Sequence, residues 1–239
     1  MTILVVQTLS EQIFAVVRDR IVSGSVPDDM PIRQDALANE LGVSKIPLRE
    51  ALGRLEQEGL LISQANRGFF LRPLCVGEAE EIFALRIKIE PDAVGAAADK
   101  ASDADRKAAR VALDTLDKSI ARHSDDVGRL NRAFHLALVI PASQQITARL
   151  VERLHIMSER YVRKHLEPTG RDGRANEEHE TILAAWMRKD GGRAAELTRA
   201  HIALTLADLR RQFGNDVKQE GTADGNLRAK KTARQRHRP

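Results

Sequence analysis

Apolar residues recur at three- and four-residue intervals along most of the chain, which predicts helices almost throughout. Over residues 10 to 23, Ile13, Val16, Val17 and Ile21 share one face, with Ser10 placed to cap the start and Gly24 to end it. After the turn-rich SVPDDMPI, the run RQDALANELG puts Leu37 and Leu41 on one side of a second, short helix. Gly42 then suits the left-handed conformation that a sharp turn needs. A third helix starts from Ser44 as N-cap, so Pro47 falls at its third position. Backbone N–H groups in a first turn have no partner within the helix, and a proline there marks a start rather than a break. Leu48, Ala51, Leu52 and Leu55 make the packing face of this helix, while Lys45 and Arg49, four apart, stand together elsewhere.

After Gly59 the period shortens. Leu60 to Ser63 and Phe69 to Arg72 are short apolar runs around the turn-forming Ala65-Asn66-Arg67-Gly68, which predicts a β-hairpin. Taken alone, the stretch from RQDALANELG to Gly59 reads either as a helix-turn-helix or as an ordinary helical hairpin with a solvated cationic face. The hairpin directly behind them favours a winged helix, with Arg67 and Gly68 at a wing tip suited to the minor groove. Helical spacing then returns in six segments, near 77–100, 103–122, 125–139, 143–166, 174–189 and 192–213. The expected fold is therefore mainly α: a winged helix-turn-helix domain over 1–73, a linker over 74–76, an all-α bundle of about six helices over 77–213, and a tail over 214–239.

Charge changes the picture in one place. The formal net charge is +4, but residues 227–239 hold six Lys or Arg and no acid, so the rest of the chain sums to −2. With almost nothing apolar to bury, the tail is expected to be disordered, either as a solvated end or as an arm adding sequence-independent phosphate contacts. Residues 1–73 carry eight cations and nine acids. DNA affinity must then come from where the cations sit and from doubling them in a twofold homodimer, which predicts an inverted-repeat operator. No apolar run reaches the roughly 18 residues of a membrane span, and the opening MTILVVQTL lacks the basic flank of a signal peptide, so a cytoplasmic location is expected. The single cysteine, Cys75, excludes an internal disulfide.

Candidate chemistry lies in the bundle. Asn131 and His135 are four apart in RLNRAFHLAL, His179 lies in EEHETILAAW and His201 in RAHIALTL. Three imidazoles on three helices either converge on a divalent metal or serve separately as hydrogen-bonded core residues. A three-histidine site with open positions also describes metal-dependent hydrolases, but the nearby Glu177, Glu178 and Glu180 read as a solvated face rather than as a general base.

The stretch from Ile32-Arg33-Gln34 through LANELGVSKIPLREALGRLEQEGLL to NRGFFLRP resembles the N-terminal domain of the GntR family of bacterial transcriptional regulators. That resemblance implies DNA contacts by Arg33, Ser44, Lys45, Arg49 and Gly68. Ile46 stands where family members often carry a polar residue, and an apolar side chain there can meet a thymine methyl. The patterns LRIKIE, LNRAFHLAL, EEHETILAAWMRKDGGRA and RAHI resemble the FCD effector domain of the FadR-like branch. This second resemblance implies a divalent metal, zinc foremost with nickel or manganese also suited, held by Asn131, His135, His179 and His201. Asn131 offers a neutral amide where many relatives have a carboxylate. The implied effector is a small organic acid that completes the coordination, assisted by Arg86, a residue that equally suits an i,i+4 salt bridge with Glu90. His123, His155, His165 and His237 fall off the pattern and read as surface or structural. The whole points to a ligand-responsive, DNA-binding regulator and not to an enzyme.

Overall fold

Thr8 lies three residues before Glu11, and the two cap each other reciprocally: the Thr8 side chain accepts from the Glu11 N–H while the Glu11 carboxylate accepts from Thr8 N–H at 2.9 Å. This capping box starts α1 (Leu9–Val22) two residues ahead of the expected Ser10 cap. Ile13, Val17 and Ile21 are buried as their spacing predicts, whereas Val16 remains 42% exposed. The computed structural model describes residues 8–28, 30–122, 124, 126–166 and 171–235, and for 165–166, 171–172 and 215–235 the backbone only. The next elements are α2 (Gln34–Leu41), α3 (Lys45–Gln57), β1 (Leu61–Gln64) and β2 (Gly68–Leu71), the strands pairing antiparallel from Leu61 opposite Leu71 to Gln64 opposite Gly68. Ser44 is the N-cap of α3 and Pro47 sits in its first turn, as expected, although no side-chain cap bond forms. Leu48, Ala51, Leu52, Leu55, Leu60, Leu61 and Leu71 close a core with the buried face of α1. Removing a leucine of this kind from water contributes about 1.5–3 kcal/mol.

The bundle comprises α4 (Val76–Lys100), α5 (Asp103–Ala121), α6 (Val127–Val139), α7 (Gln145–Leu166), α8 (Arg171–Met187) and α9 (Gly191–Gln235), with a 3-10 turn over Ile140–Ala142. Its centre is filled by Val94, Leu113, Leu116, Phe134, Leu138, Leu183 and Trp186. The crossing of α4 and α9 is close enough that a Cβ on Gly95 would lie 2.8 Å from the Gly191 carbonyl oxygen. Only glycine permits that approach. Arg106 on α5 donates to the Ala98 and Ala101 carbonyls at the end of α4 and to the Trp186 and Met187 carbonyls at the end of α8. These are groups that a helix cannot satisfy by itself.

Helix α9 runs from Gly191 to Gln235, past residue 213, where the bundle was expected to end. Residues 236–239, His237 among them, lie outside the described residues, as does His123. The linker expected over 74–76 leads directly into α4, which begins at Val76. Its path is tied down: Tyr161 donates to Glu78 Oε2 at 2.8 Å and accepts from Cys75 N–H at 3.1 Å, and Arg72 pairs with Glu78 at 3.0 Å.

The helix α7 joins the two halves. Ile156 packs into the core of the winged helix, and Arg160 donates to the Arg72 carbonyl and to Asp28. Beside them Glu159 forms a buried ion pair with Arg132 of α6. Burial nonetheless pushes the Glu159 carboxyl up to about 7 despite the Arg132 guanidinium. A raised acid value means that the folded chain keeps this proton over a range where the unfolded chain, near 4.5, has released it. Stability from this group therefore declines as pH rises from about 4.5 through about 7. Glu159→Gln is expected to flatten that decline, read as the difference in denaturation midpoint between about pH 5 and about pH 7.5. An unaltered slope would place the titrating proton elsewhere.

Candidate nucleic-acid interface and metal centre

The α2–α3 turn depends on Gly42, whose φ of 64° is left-handed. It projects the start of α3 outward: Ser44, Lys45, Ile46 and Arg49 are all exposed, Ile46 at 73%. Among the described residues, little covers this apolar side chain, while the opposite face of the helix is well buried. Lys45 pairs with Asp35 of α2, so part of its charge is spent locally. Arg33 is the exposed N-cap residue of α2, and Arg67 projects from the hairpin turn with its guanidinium 5.2 Å from the Phe70 ring. Gly68 opens β2. The Ile32 N–H donates to the Phe69 carbonyl at 2.8 Å, which holds Arg33 beside the wing. All seven predicted DNA contacts thus come from the α2 start, the α3 start and the wing.

In the bundle His135 on α6, His179 on α8 and His201 on α9 are buried and converge. Their ring centroids are 4.6–5.5 Å apart, and one ligand nitrogen from each lies within 4.8 Å of the others. The Nε2 atoms of His179 and His201 are 3.2 Å apart. Two nitrogens each about 2.0–2.1 Å from a tetrahedral zinc stand roughly 3.3–3.4 Å from one another, so the spacing suits a shared ion. His135 Nε2 is buried without a hydrogen-bond partner, which is costly for a polar atom unless a ligand uses its lone pair. Burial, then the neighbouring His201 and His135, hold His179 well below the usual imidazole range, keeping it neutral as a ligand must be. Asn131, one helical turn before His135, lines the same cavity. The donor set of three imidazoles and an amide fits a divalent ion of zinc, nickel or manganese type.

Carboxylates surround these rings. Glu90 is fully buried on α4, with Oε1 2.7 Å from His135 Nδ1 and 3.1 Å from His155 Nε2. The first contact is short but poorly aligned as a hydrogen bond. Burial would raise the Glu90 carboxyl, but Arg86, His155 and His135 together outweigh it and hold it well below the usual range. His155 is pushed down to about 3 by burial and by Arg86. His155 is thus held among Glu90, Arg86 and His135, while the side chain of His165 lies outside the described residues. Glu178 accepts from His201 Nδ1 at 2.7 Å, so it does not belong to the solvated face assigned to it from sequence.

Arg86 takes the alternative that its spacing allowed. Its Nε donates to Glu90 Oε2 at 2.9 Å, and the guanidinium also meets Ser158 Oγ at 3.3 Å and His155 Nε2 at 3.1 Å. It still lines the histidine cavity, to which all six bundle helices contribute. The free volume there is about 20 Å³, room for an ion or a water. Glu90 entered the sequence reading only as a partner for Arg86, and the roles of Glu178, Ser158 and Glu159 had no sequence signal at all.

A winged helix joined to an all-helical domain, with exposed cations on the recognition helix and wing, is the build of a DNA-binding transcriptional regulator. Residues 9–71 match the bacterial regulatory proteins of the gntR family and residues 81–204 match the FCD domain. The chain belongs to the GntR family of transcriptional regulators, with an FCD domain as its second half. An uncharacterised HTH-type transcriptional regulator, BphR, of Paraburkholderia xenovorans is 30% identical over 87% of this chain and 88% of its own length. The HTH-type transcriptional repressor GlaR of Escherichia coli is 27% identical, over 77% and 88%. Among solved structures, McbR/YncC of E. coli shares the fold at a TM-score of 0.76 with 21% identity, covering 87% of this chain and 100% of that one. The family is one of regulators, not enzymes. No described helix is long and apolar enough to cross a membrane.

Proposed function

We propose that this protein is a ligand-responsive regulator that binds an inverted-repeat operator as a homodimer, its DNA affinity set by a small organic acid at a divalent metal site in the helical domain. The carrying observation is the meeting of three buried imidazoles, with an unpartnered Nε2 on His135, in a cavity that Arg86 also lines. A divalent ion there supplies positive charge for a carboxylate, which burial without compensation would forbid. Asn131, His135, His179 and His201 are its proposed ligands. Arg33, Ser44, Lys45, Ile46, Arg49, Arg67 and Gly68 are the proposed DNA contacts.

Linkage between the two sites has a physical route. Seating an acid in so small a cavity requires the lining helices to part, and Arg86 to exchange Glu90 for the ligand's carboxylate. Arg86 rests against His155 and Ser158 of α7, and Ile156 and Arg160 of the same helix pack against the winged helix. A shift of α7 therefore moves the DNA-binding domain, and any acid that favours one position of α7 changes operator affinity by the corresponding factor.

The test is a fluorescence-anisotropy titration of the dimer on DNA from upstream of its own gene, at fixed salt, with and without simple hydroxy- and dicarboxylic acids. A change of affinity in either direction, abolished by a chelator, is expected. Footprints should cover two half-sites about one helical turn, 10–10.5 base pairs, apart. Unchanged affinity with every acid, or a monomeric footprint, would overturn the reading.

A further inference from the structure

The proposed ligands Asn131, His135, His179 and His201 carry no formal negative charge, so nothing among them neutralises a dication. Nor does an imidazole alone choose which nitrogen it presents: its proton sits on Nδ1 or Nε2 according to what the other nitrogen meets. In the structure that choice is made for His201 by a residue of another helix. Glu178 Oε2 lies 2.7 Å from His201 Nδ1, and because a carboxylate only accepts, the proton must sit on Nδ1. His201 Nε2 is left with its lone pair, facing His179 Nε2 at 3.2 Å.

We propose that Glu178 is a positioning residue of the metal centre, fixing the tautomer and ring plane of His201 and supplying negative charge just outside the ligands. The inference rests on the metal-site reading above. Its geometry is economical, since consecutive residues of α8 point into one site from two sides: His179 as a ligand, Glu178 as the support of a ligand on α9. Glu178 is itself held by Arg174, whose Nε lies 3.4 Å from Oε1, leaving Oε2 directed at the imidazole. Glu90 stands in a comparable place behind His135, although its contact is less well aligned and is shared with Arg86 and His155. His179 differs from both: among the described residues its Nδ1 has no hydrogen-bond partner. Support by carboxylates is thus given to two of the three imidazoles. Glu178 is the better probe of the pair, because removing Glu90 would strand the buried Arg86 charge.

The experiment uses the full chain, emptied with a chelator and titrated with Zn2+ against a chromophoric competitor, and separately with Co2+ for its visible absorption bands. Glu178→Ala is expected to weaken Zn2+ binding by about 10–100-fold and to shift the Co2+ bands. Glu178→Gln keeps an acceptor for Nδ1–H and is expected to recover part of the affinity and the wild-type Co2+ band positions. Circular dichroism of the metal-free proteins should show the same helix content in all three, and if the alanine variant does not fold, Glu178→Gln carries the decision on its Zn2+ affinity, which loss of the negative charge should lower and which a wild-type value would overturn. Wild-type affinity and spectrum in Glu178→Ala would overturn the inference while leaving the metal site standing, as would equal losses in both variants. A wild-type protein that takes up no metal would overturn the site and the inference together, and His179→Ala, which removes a ligand outright, tells these cases apart.

Discussion

His179→Ala and His201→Ala are each expected to take metal content from close to one divalent ion per chain to nearly none. Each substitution removes a nitrogen from a set whose Nε2 atoms are already 3.2 Å apart, and each leaves a void where the remaining imidazoles have no common partner. Affinity for carboxylic acids should disappear with the ion, because a buried anion would then lack its compensating charge. Operator binding without ligand should survive, since α1, α3 and the hairpin have their own core. Asn131→Asp makes the opposite case: a formal charge among the ligands should tighten metal binding, at the expense of attraction for an anion. Elemental analysis of the wild type and both histidine variants checks the metal content, a competitive Zn2+ titration of Asn131→Asp checks the tightening, and anisotropy titrations check acid and operator binding. Equal metal in wild type and both histidine variants would mean that the histidines are packing residues.

Arg49→Ala is expected to cost about 1–3 kcal/mol of operator binding, a loss of roughly 5- to 150-fold, with the fold unchanged. The argument is one of position. Arg49 lies one turn after Lys45 on the exposed side of α3, while Leu48 and Leu52 on the other side are fully buried, so the helix has one orientation and its cation one direction. Lys45 is expected to contribute less, because its ammonium is paired with Asp35 and must give up that contact to reach a phosphate. Anisotropy titrations of both variants at several salt concentrations would show it: the Arg49 variant should lose affinity most on the preferred sequence, the Lys45 variant evenly on any sequence. Wild-type affinity in Arg49→Ala would remove α3 from the interface.

Much of this architecture was legible before any coordinates. Pro47 beside Ser44 marked the start of the recognition helix, the Asn66-Arg67-Gly68 turn marked the wing, and six stretches of helical spacing marked the bundle. These signals are local, because a helix buries one face and repeats it every three or four residues whatever it packs against. The same locality explains the misses. Ser10 and Thr8 are both competent caps, and only the reciprocal bond with Glu11 decides between them. Glu178 in EEHE looks like a solvated charge until α9 brings His201 against it.

The sequence by itself determined the order and kind of the helices and the winged helix, and its resemblance to the FCD domain singled out Asn131, His135, His179 and His201. Tertiary packing decided what those positions amount to. It placed three imidazoles from α6, α8 and α9 around one small cavity, spent Arg86 on Glu90, put Glu90 and Glu178 behind two of the rings, and ran α7 from that cavity to the DNA-binding domain. The physical reason is that periodicity encodes which face of a helix is buried but not the register in which two buried faces meet. Hydrogen bonds and ion pairs require contact within about 3 Å, so they depend on that register and emerge only when the helices are docked.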